Sequence, residues 1–247
     1  MNILIACEES QAITIEMRKR GHNCFSADLQ ECSGGHPEWH INGDCLPLLN
    51  GNCEFVTQDG AKHRIEGKWD MIIAHPPCTY LTNVATRHHS LSYTPLDKIN
   101  KRTEKRIEAM KFFMTVVNAD CDKIAVENPV GVMNTCYRKP DQTIHPYMFA
   151  ESENDKENYV TKATCLWLKG LEPLKRKEIE KTDNSCLFGS TSDVLPPPDN
   201  SILFGSWINK DGKKKNHCWE NCQQGNKAKV RSKTFPGIAK AIAEQWG

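Results

Sequence analysis

The chain has 247 residues, of which 38% are hydrophobic and 26% charged, and a formal net charge of +1. That is the composition of an ordinary globular protein, long enough for one α/β domain with a small appendage. No apolar run approaches the ~20 residues that cross a bilayer, and the opening MNILIACEES has no basic leader, so a cytoplasmic monomer without a membrane partner is expected.

In chain order, Asn2 to Cys7 reads as a buried strand, and Ser10 is positioned to cap a helix whose apolar Ala12, Ile13 and Met17 precede the basic Arg18, Lys19 and Arg20 and a terminating Gly21. A second strand at 22–27 ends in Asp28. A short third covers Ile41 to Asp44, and Lys68 to Ala74 is a fourth, stopped by Pro76 and Pro77. Between Lys98 and Ala119 the residues Ile99, Ile107, Met110, Phe113, Met114 and Val117 recur at helical spacing. Lys123 to Val126 and Cys165 to Leu168 complete six strands, and Phe235 to Trp246 forms a final amphipathic helix. Strands alternating with helices imply an α/β fold with a doubly wound, mostly parallel, Rossmann-like sheet. The organisation expected is a core over 1–170, an irregular insertion at 171–229 rich in proline, glycine and lysine, and a helix within 230–247 that returns to the core.

In such sheets ligands bind at the carboxyl ends of strands. Cys7-Glu8-Glu9, Asp28, Asp44, Pro77-Cys78 and Glu127-Asn128-Pro129 all fall at those ends, which concentrates the polar residues where a ligand belongs. Charge is also uneven. Residues 1–60 carry nine acids against three Lys or Arg, whereas 205–233 carry eight bases against two acids. The basic stretch, with Lys213, Lys214, Lys215, Lys229 and Arg231, suits a nucleic-acid backbone; a solvated lysine-rich loop is the competing reading.

Pro-Pro-Cys after the fourth strand, set beside Glu-Asn-Pro after the fifth, resembles the DNA cytosine-5 methyltransferase family, in particular its compact members frequent in phages and prophages. The resemblance implies S-adenosylmethionine as cofactor and DNA as partner. It implies that Cys78 attacks carbon 6 of a flipped-out cytosine, because carbon 5 of the aromatic ring is too poor a nucleophile until that addition makes it enamine-like. It gives Glu127 the task of holding ring nitrogen 3, and Lys162 the place of a family arginine beside the cytosine oxygen.

The same resemblance places the cofactor around Cys7, Glu8, Asp28, Leu29, Asp44, Cys45 and Pro76. Asp28 would accept from the ribose hydroxyls, and Asp44 from the adenine amino group. The chain departs from the family in lacking glycine in the turn after Ala6, in carrying Pro129 where valine is usual, and in keeping only Lys162 of a Gln-x-Arg-x-Arg stretch. Arg231 to Ile238 resembles the family's closing motif, and 171–229 occupies the place of a target-recognition segment shorter than usual.

Twelve cysteines in a cytosolic chain are expected to be reduced. No metal is expected. Zinc at Cys186, His217, Cys218 and Cys222 is the alternative weighed, against which stands a spacing unlike the paired Cys-x-x-Cys of structural sites. Two other functions remain open on the sequence: methylation of cytosine in RNA or in a nucleotide, and a non-catalytic protein that binds nucleic acid or cofactor and keeps the fold.

Overall fold

The computed structural model describes residues 1–83, 88–178, 194–198, 206–208, 214–216 and 233–247, with side chains left aside in the 206–208 and 214–216 pair. These fall into two compact units. The first comprises Met1–Ile144, Ala163–Leu174 and Ile242–Gly247, and the second His145–Lys162 and Lys175–Ala241.

The first unit is built on β1 (Asn2–Ala6), β2 (Asn23–Asp28), β3 (His40–Asn42), β6 (Met71–Ala74), β7 (Ile124–Pro129), β8 (Gln142–Ile144) and β9 (Thr164–Lys169). Their order across the sheet is β3-β2-β1-β6-β7-β9-β8. All pairings from β3 to β7 are parallel, while β9 runs antiparallel to β7 and to β8. The central strands are continuous apolar runs because helices cover the sheet: Leu4, Ala6, Ile72, Ala74, Ile124 and Val126 share one buried cluster with Phe113 and Val116 of α2 (Leu96–Val117). Alternation along β1 leaves Ile3 and Ile5 for the opposite face, the side of α1 (Ala12–Lys19), whose buried Ile13 and Met17 are outside that cluster.

Two details differ from the sequence expectation. Ser10 does not cap α1; Gln11 occupies the cap position in the left-handed region, and the capping oxygens come from Glu8, which accepts from the Ile13 and Thr14 backbone amides at 2.7 and 3.2 Å. A hairpin was also missed, β4 (Cys53–Val56) with β5 (Lys62–Ile65), which turns Phe55 and Ile65 inward; the Phe55 ring meets Phe25 edge-on at 5.0 Å.

The second unit includes the antiparallel pair β10 (Ser206–Ile208) and β11 (Lys214–Asn216). At its end the Gly237 amide donates to Asn158 Oδ1 at 2.7 Å, and a Cβ on Gly237 would sit 2.7 Å from the Phe149 carbonyl, so the turn into the last helix, α4 (Pro236–Trp246), requires glycine. Between β7 and β8 lies the single turn α3 (Met133–Cys136). No helix among the described residues is long and apolar enough to cross a membrane.

Candidate active site

Parallel pairing sets β1, β6 and β7 level: Ala74 stands opposite Ala6 on one side and Val126 on the other. The next residue of each strand is therefore Cys7, His75 and Glu127, side by side at the carboxyl edge. β7 does not stop at Val126, where the sequence ends it. Its antiparallel partner β9 carries the pairing on to Pro129 opposite Thr164, so Glu127-Asn128-Pro129 are inside a strand and held rigidly.

Past His75 the chain turns through buried Pro76 and exposed Pro77 to Cys78, whose side chain is open to solvent. Both Leu81 and Thr82 amides return to the Cys78 carbonyl at 3.0 Å, closing the turn that bears the thiol. This turn is fastened to the end of β7 at three points. Asn128 Nδ2 donates to the Pro76 carbonyl at 2.7 Å, the Val132 amide to the Leu81 carbonyl at 2.8 Å, and the Asn83 amide to the Val130 carbonyl at 3.2 Å. Gly131 makes the approach possible, since a Cβ there would lie 2.1 Å from the Leu81 oxygen. Cys78 and Glu127 are thus carried on two segments bonded directly to each other.

From the other side α2 braces the same turn. Arg106 Nε donates to the Tyr80 carbonyl at 3.0 Å and Arg102 Nη2 to the Thr79 carbonyl at 3.3 Å, with the Arg102 guanidinium 5.0 Å from the Tyr80 ring centre. The sequence shows these bases only as the polar face of a helix. Their contact depends on how the N-terminal half of α2 is placed against residues 79–80, which the sequence does not show.

His75 also escaped the sequence reading. Its Nδ1 lies 3.2 Å from Glu127 Oε2, and both side chains are largely shielded from solvent. A histidine directly between a buried strand and a Pro-Pro pair is the signal that marks it.

Along the rest of the edge Cys7, Cys45, Asp28 and Asp44 come together. The Cys7 thiol is pushed well up, first by its contact with the Cys45 thiol, then by burial and by the charges of Cys45, Asp28 and Asp44. Asp28 uses one oxygen on the Gln30 amide at 2.9 Å and Asp44 one on the Leu46 amide at 3.0 Å. Leu29 beside them is 79% exposed.

The turn after Ala6 has no glycine, yet Cys7 (φ 62°) and Gln11 (φ 57°) both take the left-handed conformation that glycine adopts at no steric cost. Gln11 is anchored there by Nε2 donating to the His36 carbonyl at 2.8 Å and by Oε1 accepting from the His36 amide at 3.1 Å. The buried Glu8 carboxylate is committed to α1 and to the Thr14 hydroxyl at 2.8 Å; burial raises its pKa, partly offset by the charge of His75.

Chemically, this edge presents carboxylate oxygens that can accept from hydroxyl or amine donors, an open apolar side chain that can face a ring, and an acidic character that suits a cationic group. Glu8 contributes through the shape of the turn, its own oxygens being occupied.

Lys162 belongs to the second unit, where its ammonium lies 5.3 Å from the Phe235 ring centre. Lys213, Lys229 and Arg231 lie outside the described residues, as do Cys186, His217, Cys218 and Cys222. Lys214 and Lys215 lie on β11, described by its backbone pairing alone. No disulfide joins the nine described cysteines to one another, and no group of metal-ligating side chains occurs among the described residues. Comparison of the sequence with protein-family models and with curated proteins returns no match.

Proposed function

We propose that the chain is an S-adenosylmethionine-dependent DNA methyltransferase acting on carbon 5 of cytosine, with Cys78 as nucleophile. The observation that carries this reading is the fastening of the Cys78 turn to the Glu127 strand through Asn128–Pro76 and the Leu81–Val132 hydrogen bond, which sets a solvent-open thiol and a shielded carboxyl on one rigid frame at the carboxyl edge.

On this reading the Cys78 thiolate forms a bond to carbon 6 of the flipped base while ring nitrogen 3 takes a proton from the Glu127 carboxyl, leaving carbon 5 electron-rich. Bound S-adenosylmethionine supplies an electrophilic methyl group to that carbon. Loss of the carbon 5 proton to a base then breaks the sulfur–carbon 6 bond, returns the thiolate, and lets nitrogen 3 give its proton back to Glu127. Asp28, Leu29 and Asp44 hold the nucleoside end of the cofactor, and the turn at Cys7 the remainder.

The test is covalent trapping. A duplex with 5-fluorocytosine lacks the proton whose departure frees the enzyme, so wild-type protein, DNA and cofactor should give a stable adduct that C78S does not, with cofactor affinity within about 3-fold because the thiol touches the base and not the sulfonium. Bisulfite sequencing of DNA from expressing cells reports the sequence context in parallel. Adduct formation by C78S would refute covalent catalysis through this residue.

A further inference from the structure

Among the described side chains of the carboxyl edge, His75 stands out by lying between two carboxyl groups. It follows Ala74, whose partners are Ala6 and Val126, so it stands at the end of β6, between β1 on one side and β7 on the other. Its backbone is pinned on both sides: its amide donates to the Ala6 carbonyl at 2.9 Å, and the carbonyl of Pro76 after it accepts from Asn128 at 2.7 Å. The proline also confines His75 to extended conformations. With the main chain fixed and the side chain 12% exposed, the ring has little freedom, and its Nδ1 lies 3.2 Å from Glu127 Oε2. On the β1 side is Glu8, fully buried and sensitive to the charge of His75.

We infer that His75 is a positioning residue for Glu127: Nδ1–H holds Oε2 and thereby presents Oε1 to ring nitrogen 3 of the target base. The inference rests on the reading of Cys78 and Glu127 given above. A donor beside the carboxyl, at the end of the neighbouring strand, restricts its rotation about the last bond and fixes which oxygen faces the base before the base arrives.

Two substitutions separate the ring nitrogens. Asparagine places an amide near the position of Nδ1, and glutamine reaches toward that of Nε2. With steady-state methyl incorporation into a cytosine-containing duplex, H75Q should lower kcat about 10- to 100-fold, the range set by losing one charge-assisted hydrogen bond, while KM for DNA and for cofactor stays within about 3-fold. H75N should recover most of that loss. Equal kcat in all three proteins, a loss confined to KM, or rescue by glutamine in place of asparagine would overturn the assignment.

A readout that needs neither variant is the nitrogen-15 spectrum of the His75 ring in the wild-type protein. It should show Nδ1 protonated, and a bare Nδ1 would overturn the assignment equally. The underlying reading fails separately, when wild-type protein yields neither methylated cytosine nor an adduct with 5-fluorocytosine DNA; a protonated Nδ1 would still be seen in that case if the hydrogen bond to Glu127 exists.

Discussion

Glu8 shows how one side chain at a strand end can be taken over by architecture. Its carboxyl is buried and occupied by the first turn of α1, and burial raises its pKa in the folded state. A carboxyl with a raised folded pKa contributes its full stability below its unfolded pKa, and that contribution disappears as pH rises through the folded value. E8Q, which keeps an acceptor for the cap but cannot ionise, should therefore gain in melting temperature relative to wild type as pH is raised from about 4 upward, around the ordinary range of a glutamate. Differential scanning fluorimetry across that window checks the sign; a gap between the two proteins that does not move with pH would mean that ionisation of Glu8 costs nothing. Asp28 and Asp44 are the reverse case, each with only one oxygen engaged by its own loop. On the proposed reading, D28A and D44A should each weaken binding of S-adenosylmethionine by about 1–3 kcal/mol in calorimetry, the value of one hydrogen bond to a buried partner group, with unfolding little changed. Unchanged affinity in both would place the cofactor elsewhere.

Among the elements, the parallel strands were legible because each is a short apolar run ending in a polar residue at the ligand edge; β1, β2 and β6 follow that rule closely. The β4–β5 hairpin was not, since Phe55 and Ile65 are its two buried side chains and the remaining positions are polar or exposed, which leaves almost no alternation to detect. Nor was the reversal of β9. A parallel return needs a crossover helix, and between β7 and β9 the described chain holds, besides β8, only the single turn of α3 and a 3-10 turn at Pro146–Phe149, a constraint that becomes visible once that stretch is known to lack a long helix. The cap on α1 was missed because the side chain that supplies it precedes the cap position instead of occupying it. That Cys78 and Glu127 fall just past the apolar runs of two strands was legible in the sequence; their fastening was not, as it runs through backbone groups and through the absence of a side chain at Gly131. G131A should test that fastening. A Cβ 2.1 Å from the Leu81 oxygen must push the two segments apart, at a cost of about 1–3 kcal/mol in unfolding free energy by denaturant titration, and, on the proposed reading, methylation should fall by more than the folded fraction does. Full activity in a destabilised G131A protein would separate the loop fastening from the chemistry.

At the scale of the whole molecule, a net charge of +1 hides an acidic first quarter and a basic stretch over 205–233. If that stretch follows a DNA backbone, replacing Lys213, Lys214 and Lys215 by glutamine should weaken binding nearly equally on all sequences and reduce the slope of log affinity against log salt by about 0.9 for each phosphate no longer neutralised, with sequence preference kept. Fluorescence anisotropy at several salt concentrations measures this, and an unaltered slope would move the DNA-facing surface to another part of the chain. The order of strands also bears on how the chain is made. From β1 the sheet extends in the order of synthesis on one flank, β6 and then β7 being added as each emerges, but β9 must enter between β7 and β8, both translated before it. Until Thr164–Lys169 leaves the ribosome, the strand that carries Glu127 is an open edge with unsatisfied amides and carbonyls, and β8 has no strand to join. A nascent chain halted between these points therefore exposes the edge of β7 to any other extended segment nearby, so that a pause or truncation before residue 164 should yield aggregates, whereas one after residue 169 leaves β7 paired on both sides.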